Sequence, residues 1–305
     1  MIRLAHISDV HLGPLPPVNP VNLTSKRLVG YNSWIFRRRG IHDPAITAAL
    51  LKDIRKAAPD HLMNTGDLVN IALQREFING ASWLQHAGPP DWMSFVPGNH
   101  DAYVSMQWEQ GMGLWGDYMT GDLAVPGARP TETVAMPMPF VRQRRNVALI
   151  GVSSAVPTRP GRATGVLGAA QLEALAGTLR NLRSRGFFRL LMIHHPPLPG
   201  LAKPRKALKD ASELAGILRD EGCDLVVHGH NHTATHHKLD SRHGTVHVVG
   251  VPSASANGAR DTELAAWNEY VIRRSAGQWQ TTLNIRQWSK QTGGFVPQTS
   301  YTLEP

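Results

Sequence analysis

The chain carries one cysteine in 305 residues, Cys223. A lone thiol excludes an intrachain disulfide and any zinc cluster built from cysteines. Its setting, Gly222-Cys223-Asp224-Leu225-Val226-Val227, reads as the head of a buried strand, where a thiol serves as a small core residue. No run of about 18 apolar residues occurs, so no membrane-spanning helix is expected. The segment Met1-Ile2-Arg3-Leu4-Ala5-His6-Ile7-Ser8 lacks the long apolar stretch of a signal peptide. A cytoplasmic protein is the expectation. Acidic residues are also scarce, 23 against 32 Lys and Arg, for a net charge of +9. That balance favours an anionic partner, whether phosphate, nucleic acid or an acidic membrane, without choosing among them. Hydrophobic residues make up 42%, enough for a sizeable core in one large domain or two small ones.

Through residue 230 the pattern alternates strand and helix. Strands are expected at residues 2–8, 61–65, 92–96, 147–152, 189–193 and 224–227. Helices are expected near 44–57, 74–86, 169–185 and 207–221. Leu50, Ile54 and Ala57 give the first helix an apolar face, and Pro44 suits its first turn. Residues 244–286 change character to short strands with turn signals such as Ser275-Ala276-Gly277-Gln278.

Five clusters of metal-ligand residues fall just past the expected strand ends: Asp9-Val10-His11, Gly66-Asp67, Gly98-Asn99-His100-Asp101, His194-His195-Pro196-Pro197 and Gly229-His230-Asn231-His232. Open α/β sheets carry their sites at the carboxyl ends of strands, so sequence-distant clusters can converge there. Asp9 and His11 are two apart, which in an extended segment puts both side chains on one side. A carboxylate such as Asp67 can bridge two cations, and Asn99 offers a neutral amide oxygen. The mixed oxygen and nitrogen donors, without thiolate, suit manganese, iron or zinc. Two such ions about 3.5–4 Å apart can clamp a phosphoryl group and supply a bridging hydroxide as nucleophile. Among the other histidines, His6, His61, His86 and His247 read as structural or surface residues, His228 as lying outside the site, and His236, His237 and His243 as a solvated patch.

The ordered set D-x-H, G-D, G-N-H-D, H-H-P and G-H-x-H, spanning residues 9–232, resembles the calcineurin-like metallophosphoesterase superfamily. Within it, the sequence is most similar to the class III cyclic nucleotide and glycerophosphodiester phosphodiesterases. The resemblance implies a four-layer αββα sandwich, two mixed sheets flanked by helices. It implies a single domain over residues 1–305, with residues 244–305 completing the second sheet. It implies two divalent ions, one on Asp9, His11, Asp67 and His232 and the other on Asp67, Asn99, His194 and His230. His194 is preferred to His195 because the family ligand is the first residue of its H-[HYS]-P pattern. His100 would stabilise or protonate the leaving oxygen, with Asp101 orienting it through a hydrogen bond. Asn70 and His195 would touch substrate, although a helix cap explains Asn70 comparably.

One departure from that branch is the segment after D-x-H, an insertion at residues 14–42. Residues 10–42 hold no Asp or Glu but five cations, Lys26, Arg27, Arg37, Arg38 and Arg39, interleaved with Tyr31, Trp34 and Phe36. Such a segment suits an acidic membrane surface or single-stranded nucleic acid. Its Ser25-Lys26-Arg27-x-x-Gly30 motif loosely resembles an insertion in UDP-diacylglucosamine hydrolases, which makes Lys26 and Arg27 candidate substrate contacts. Residues 25–39 would then dock a lipid-linked substrate or the inner membrane face; a solvated basic flap is the plain alternative. The leading expectation is a two-metal phosphodiesterase or pyrophosphatase. A nuclease and a non-catalytic scaffold stand behind it.

Overall fold

The computed structural model describes residues 1–23 and 26–304. Ser25, the first residue of the basic motif, lies outside them.

The amino-terminal half builds a parallel core. Strand β1 (Ile2–Ile7) pairs with β2 (His61–Asn64), and β2 with β3 (Met93–Phe95), all parallel. Helices α2 (Pro44–Ala57) and α3 (Gln74–Ala87) cross between them, after α1 (Lys26–Ser33) in the insertion. Helix α2 starts where the Asp43 carboxylate accepts from the Ala45 N–H and Pro44 takes the first turn. It ends at Ala58, whose left-handed backbone (φ 50°) closes the last turn. Its inward face, Ile46, Leu50, Leu51 and Ile54, is buried.

The second sheet runs β4 (Phe140–Arg144), β5 (Val147–Gly151), β6 (Phe188–Met192), β7 (Leu225–His228), β9 (Gly244–Gly250), β8 (Thr235–Ser241), with β5, β6, β7 and β9 parallel. Helices α4 (Ala169–Ser184) and α5 (Ala211–Glu221) accompany it. The two-residue period of a strand assigns the layers. Leu149, Leu190, Leu225 and Val227 share one apolar cluster with Leu4, Ile7, Leu62 and Met63 of the first sheet. Ala148, Ile150, Leu191 and Val226 instead pack with Leu175, Leu179, Leu214 and Leu218 of α4 and α5. The sheets therefore stack face to face with helices outside, the expected αββα order.

The carboxyl-terminal expectation needs correcting. Residues 244–250 do join the second sheet, but β10 (Ala266–Ser275), β11 (Gln278–Ser289) and β12 (Gly294–Leu303) extend the first, in the order β12-β11-β10-β1-β2-β3. Strand β10 pairs antiparallel with β1 from Ile2↔Ile272 to His6↔Asn268, burying Trp267 and Tyr270. Two further strands had no expectation attached, β4 and β8. The latter carries His236 and His237, with His236 Nε2 3.0 Å from His247 Nδ1. Helix α5 starts at Ala211, four residues after its expected start, because the stretch before it runs alongside the 163–167 loop: Gly165 N–H donates to the Ala207 carbonyl, and the Asp210 carboxylate accepts from Leu167 and Gly168. No helix among the described residues is long and apolar enough to cross a membrane.

Candidate metal centre

The five clusters meet between the carboxyl ends of β1, β2, β3, β6 and β7. The backbone turns sharply as it leaves these strands. Asp9, His11, Asp67, His230 and His232 all have positive φ, from 43° to 68°. Left-handed backbone is costly for residues with a Cβ and concentrates at functional sites. Asp9 and His11 thus converge through two left-handed turns and not through an extended segment. The loops also approach too closely for side chains at two glycines. A Cβ on Gly98 would overlap Asp67 Oδ1 and come within 2.7 Å of the His194 ring, and one on Gly229 would run into Ser8 Oγ and Asp9 Oδ2.

Hydrogen bonding at the back of each imidazole fixes what its front presents. A carbonyl only accepts, so a ring nitrogen on a carbonyl carries the proton and leaves the other nitrogen bare in the neutral ring. His194 Nδ1 lies 2.7 Å from the Thr65 carbonyl, and His230 Nε2 lies 2.9 Å from that of Lys206. Their remaining nitrogens face each other 3.2 Å apart, and Asn99 Oδ1 stands 3.2 Å from His194 Nε2. Asp67 Oδ2 is 3.4 Å from the same nitrogen and 3.8 Å from His11 Nε2. His11 Nδ1 turns to the Val69 carbonyl at 3.3 Å, leaving Nε2 3.4 Å from His232 Nε2. Asp9 Oδ1 is 3.0 Å from His232 Nε2 and, among the described residues, has no hydrogen-bond partner. Ring nitrogens and carboxylate oxygens converging in this way fit divalent cations. Ligand atoms of Asp67, His194 and His230 lie within 4.8 Å of one another, as do those of His11, Asp67 and His100 and of His11, His42 and His232.

The charges agree with that fit. Burial alone would raise Asp67, but His194, His100 and His11 overcome it and hold its carboxyl well below the usual range. Burial likewise opposes a charged His194, yet Asp67, Asp9 and the Thr65 carbonyl raise it to about 9. A single proton there occupies the place a cation would take.

Residues 2–234 match the sequence model of calcineurin-like phosphoesterases. The chain belongs to that family. The fold is similar to that of a dimetal phosphatase from Danio rerio at 12% identity, with a TM-score of 0.64 over 99% of this chain and 98% of that one. It is also similar to the NAD nucleotidase of Haemophilus influenzae (13% identity, TM-score 0.54, 98% of this chain and 53% of that one). The purple acid phosphatase PPD1 of yellow lupin is comparable (13% identity, TM-score 0.51, 99% and 53%). The curated proteins include no sequence match.

The remaining residues of this phosphoesterase-family chain take up distinct positions. Asp101 does not bond His100. Its Oδ2 accepts from the N–H groups of Asp67 and Gly98, each at 2.8 Å, and its Oδ1 from Leu68 and Val69 at 2.9 and 3.2 Å. It therefore ties the Gly66-Asp67 loop to the Gly98-Asn99 loop. Burial and the neighbouring Asp67 push its carboxyl up to about 7. His100 is oriented instead by the Asn70 carbonyl, 2.6 Å from Nδ1, while its own N–H donates to Asp67 Oδ1 at 2.7 Å. Burial pushes its imidazole down to about 4 against the pull of Asp67, with Arg38 adding to the lowering.

Asn70 is no helix cap: Leu73 holds the N-cap position of α3, with its N–H donating to the Glu76 carboxylate at 3.0 Å. Asn70 Nδ2 donates to the Leu12 carbonyl at 2.8 Å, and among the described residues its buried Oδ1 has no partner. His195 has both ring nitrogens engaged, with Ser154 Oγ at 2.8 Å and the Ala163 carbonyl at 3.2 Å. Arg27 is turned to the Ile71 and Ala72 carbonyls, at 3.3 and 2.6 Å, which makes it a strut for the loop beyond Asn70. Lys26 is 5% exposed, with Nζ 2.8 Å from Thr158 Oγ1.

Two residues reach the site without having been singled out by the sequence. His42 packs with its ring 4.5 Å from that of His11 and tilted 48° to it, held by Ser255 Oγ at 2.8 Å. Arg38 brings Nη1 to 3.2 Å from His100 Nδ1. For His42 the available signal was its place directly before the Asp43-Pro44 helix start, at the end of the insertion. A cavity of about 250 Å³ lined by His11, His42, Leu51 and Trp83 opens beside them.

Proposed function

We propose that this chain hydrolyses a phosphodiester or pyrophosphate bond at a two-metal centre. One ion is held by Asp9, His11, Asp67 and His232, and the other by Asp67, Asn99, His194 and His230, with Asp67 shared. The observation that carries this reading is the facing pair of ring nitrogens, His194 Nε2 and His230 Nδ1, 3.2 Å apart beside the Asp67 and Asn99 oxygens. Two ring nitrogens at that distance need a proton or a cation between them, and the carboxylate and amide oxygens around them supply further ligands for a cation. The dimetal phosphatase of similar fold supports the two-ion count. Manganese, iron and zinc all suit the donors. When bound, two such ions polarise phosphoryl oxygens and lower the pKa of a water between them.

The protein's own contribution is positional. The His100 N–H fixes one oxygen of Asp67, leaving the other for sharing. The Asn70 carbonyl sets the His100 tautomer, so that Nε2 is the free nitrogen of a ring standing 4.8 Å from His11. From there Nε2 can accept a proton, and the ring can pass one to an oxygen on which negative charge grows only once Nε2 is protonated, which burial opposes.

Phosphorus NMR of the manganese-loaded protein with a cyclic nucleotide, a glycerophosphodiester, a UDP-acylated sugar and a short oligonucleotide tests the reading. Asn99→Ala and His100→Ala are expected to slow turnover by about 100-fold or more while the fold is retained. Full metal-dependent activity in both variants would sink the assignment.

A lipid-linked substrate is favoured by one further observation. Leu28, Val29, Ile35 and Phe36 of the insertion are 37–70% exposed, beside exposed Arg37 and Arg39. An apolar and basic face of this kind suits an anionic lipid surface. Sedimentation with phosphatidylserine vesicles should carry down the protein but not Phe36→Glu; equal sedimentation of the two would remove this reading.

A further inference from the structure

The insertion places two cations on the aromatic stack beside the metal centre, and neither forms an ion pair among the described residues. His100 and Tyr103 stack with ring centroids 5.4 Å apart and planes 10° from parallel. Arg38 lies against His100, with Nη1 3.2 Å from Nδ1 and 3.5 Å from Nε2. Because His100 Nδ1 already donates to the Asn70 carbonyl, only Nε2 can accept from Nη1, at a long 3.5 Å. Nη2 donates to the Gly30 carbonyl at 3.3 Å, and among the described residues buried Nε has no partner. Lys26 Nζ sits 4.3 Å from the Tyr103 ring centroid and, among the described residues, bonds only Thr158 Oγ1.

The nearby carboxylates are engaged elsewhere. Glu76 accepts from the N–H groups of Asn70, Ile71 and Leu73, and Asp67 faces His100 N–H and the metal-site nitrogens. A buried guanidinium with an unmade hydrogen bond is costly unless an anion completes it. The position of the pair, one imidazole away from Asp67, says where that anion would be.

We propose that Arg38 and Lys26 form a second anion subsite on the His100–Tyr103 stack, which binds a phosphoryl group adjacent to the one being hydrolysed. The favoured substrates are thus diphosphates and their esters. This rests on the two-metal reading and narrows its substrate class. Nη1 is the guanidinium edge left to donate to a phosphoryl oxygen, since Nη2, the fork partner of Nε, is held by the Gly30 carbonyl, and the ammonium adds a point charge.

The test is calorimetric titration of the manganese-loaded full chain, in manganese-buffered solution, with orthophosphate and with methylenediphosphonate. Wild type is expected to bind the diphosphonate at least about tenfold more tightly than orthophosphate. Arg38→Gln and Lys26→Gln should each remove most of that preference, with orthophosphate affinity changed by less than about threefold and metal content and Tm unchanged. Arg38→Lys, which keeps the charge but loses the planar guanidinium, should recover part of it. No preference in wild type, a comparison that needs no variant to fold, would overturn the subsite, as would a preference that survives both glutamine substitutions. A protein that hydrolyses phosphoesters without the preference loses only the subsite; one that neither hydrolyses them nor binds either probe loses the two-metal reading with it.

Discussion

Metal binding at the Asp67–His194–His230 group should compete with a proton. In the metal-free protein burial works against a charged His194, but Asp67, Asp9 and the Thr65 carbonyl raise it to about 9 from an ordinary 6.5. A cation taking His194 Nε2 must displace that proton. At pH 7 the bare ring is then about two pH units out of reach, a penalty near 2.7 kcal/mol or roughly 100-fold in affinity. Affinity for the second ion should climb about tenfold per pH unit from pH 7 to 9 and flatten beyond. The sign for stability is opposite. A histidine raised in the folded state stabilises fully below about 6.5, and this contribution fades as pH rises through 9, so the metal-free chain should lose stability across the window in which the loaded chain gains it. Calorimetry with zinc at pH 7.5, run in two buffers of different ionisation enthalpy, counts the protons. The expected result is close to one proton released for the second ion. Zero release, with affinity flat between pH 7 and 9, would refute the electrostatic picture of the site.

Other residues give sharper local tests. Asp101→Asn places an amide NH₂ against two of the four N–H groups that the carboxylate now accepts, and should cost the metal-loaded protein about 2–6 kcal/mol of unfolding free energy by urea titration. A change below about 0.5 kcal/mol would show that the two loops do not depend on it. Gly98→Ala should lower the metal content of purified protein, because the new methyl meets Asp67 Oδ1 and the His194 ring; two ions per chain in that variant would contradict the geometry. Arg27→Ala should lower Tm without changing KM, since the guanidinium holds the Ile71 and Ala72 carbonyls. A raised KM with unchanged Tm would make Arg27 a substrate contact after all.

The convergent clusters of candidate ligands were readable because each is local and each terminates a strand that announces itself by composition. Gly66-Asp67 follows four buried residues of β2, and His194 follows β6. What the clusters did not disclose is how they converge. Asp9 and His11 look extended by spacing, yet both adopt left-handed backbone, a choice imposed by the Asp9 and His11 N–H groups bonding the Gly66 and Asp67 carbonyls across the β1–β2 ends. The sheet joined by β10–β12 was equally hidden: alternation marks Trp267 and Tyr270 as strand residues, but their partner β1 is some 260 positions away and local pattern carries no such pairing. Asp101 sits next to His100 in sequence, which suggested a contact; the turn at Gly98–His100 aims the two side chains apart. Arg38 was one of five similar cations in the insertion. Only the packing of α1 and the π-helical turn at Trp34–Arg38 separates it from its exposed neighbours Arg37 and Arg39.

The shared carboxylate is the centre of the account, and electron paramagnetic resonance of the manganese-loaded chain tests it most directly. Two Mn²⁺ ions bridged by Asp67, about 3.5–4 Å apart, should be exchange-coupled and give a multiline dinuclear signal with two ions per chain. Asp67→Asn should abolish the coupling. An uncoupled six-line spectrum in the unaltered protein, with one ion per chain, would contradict a two-metal phosphoesterase.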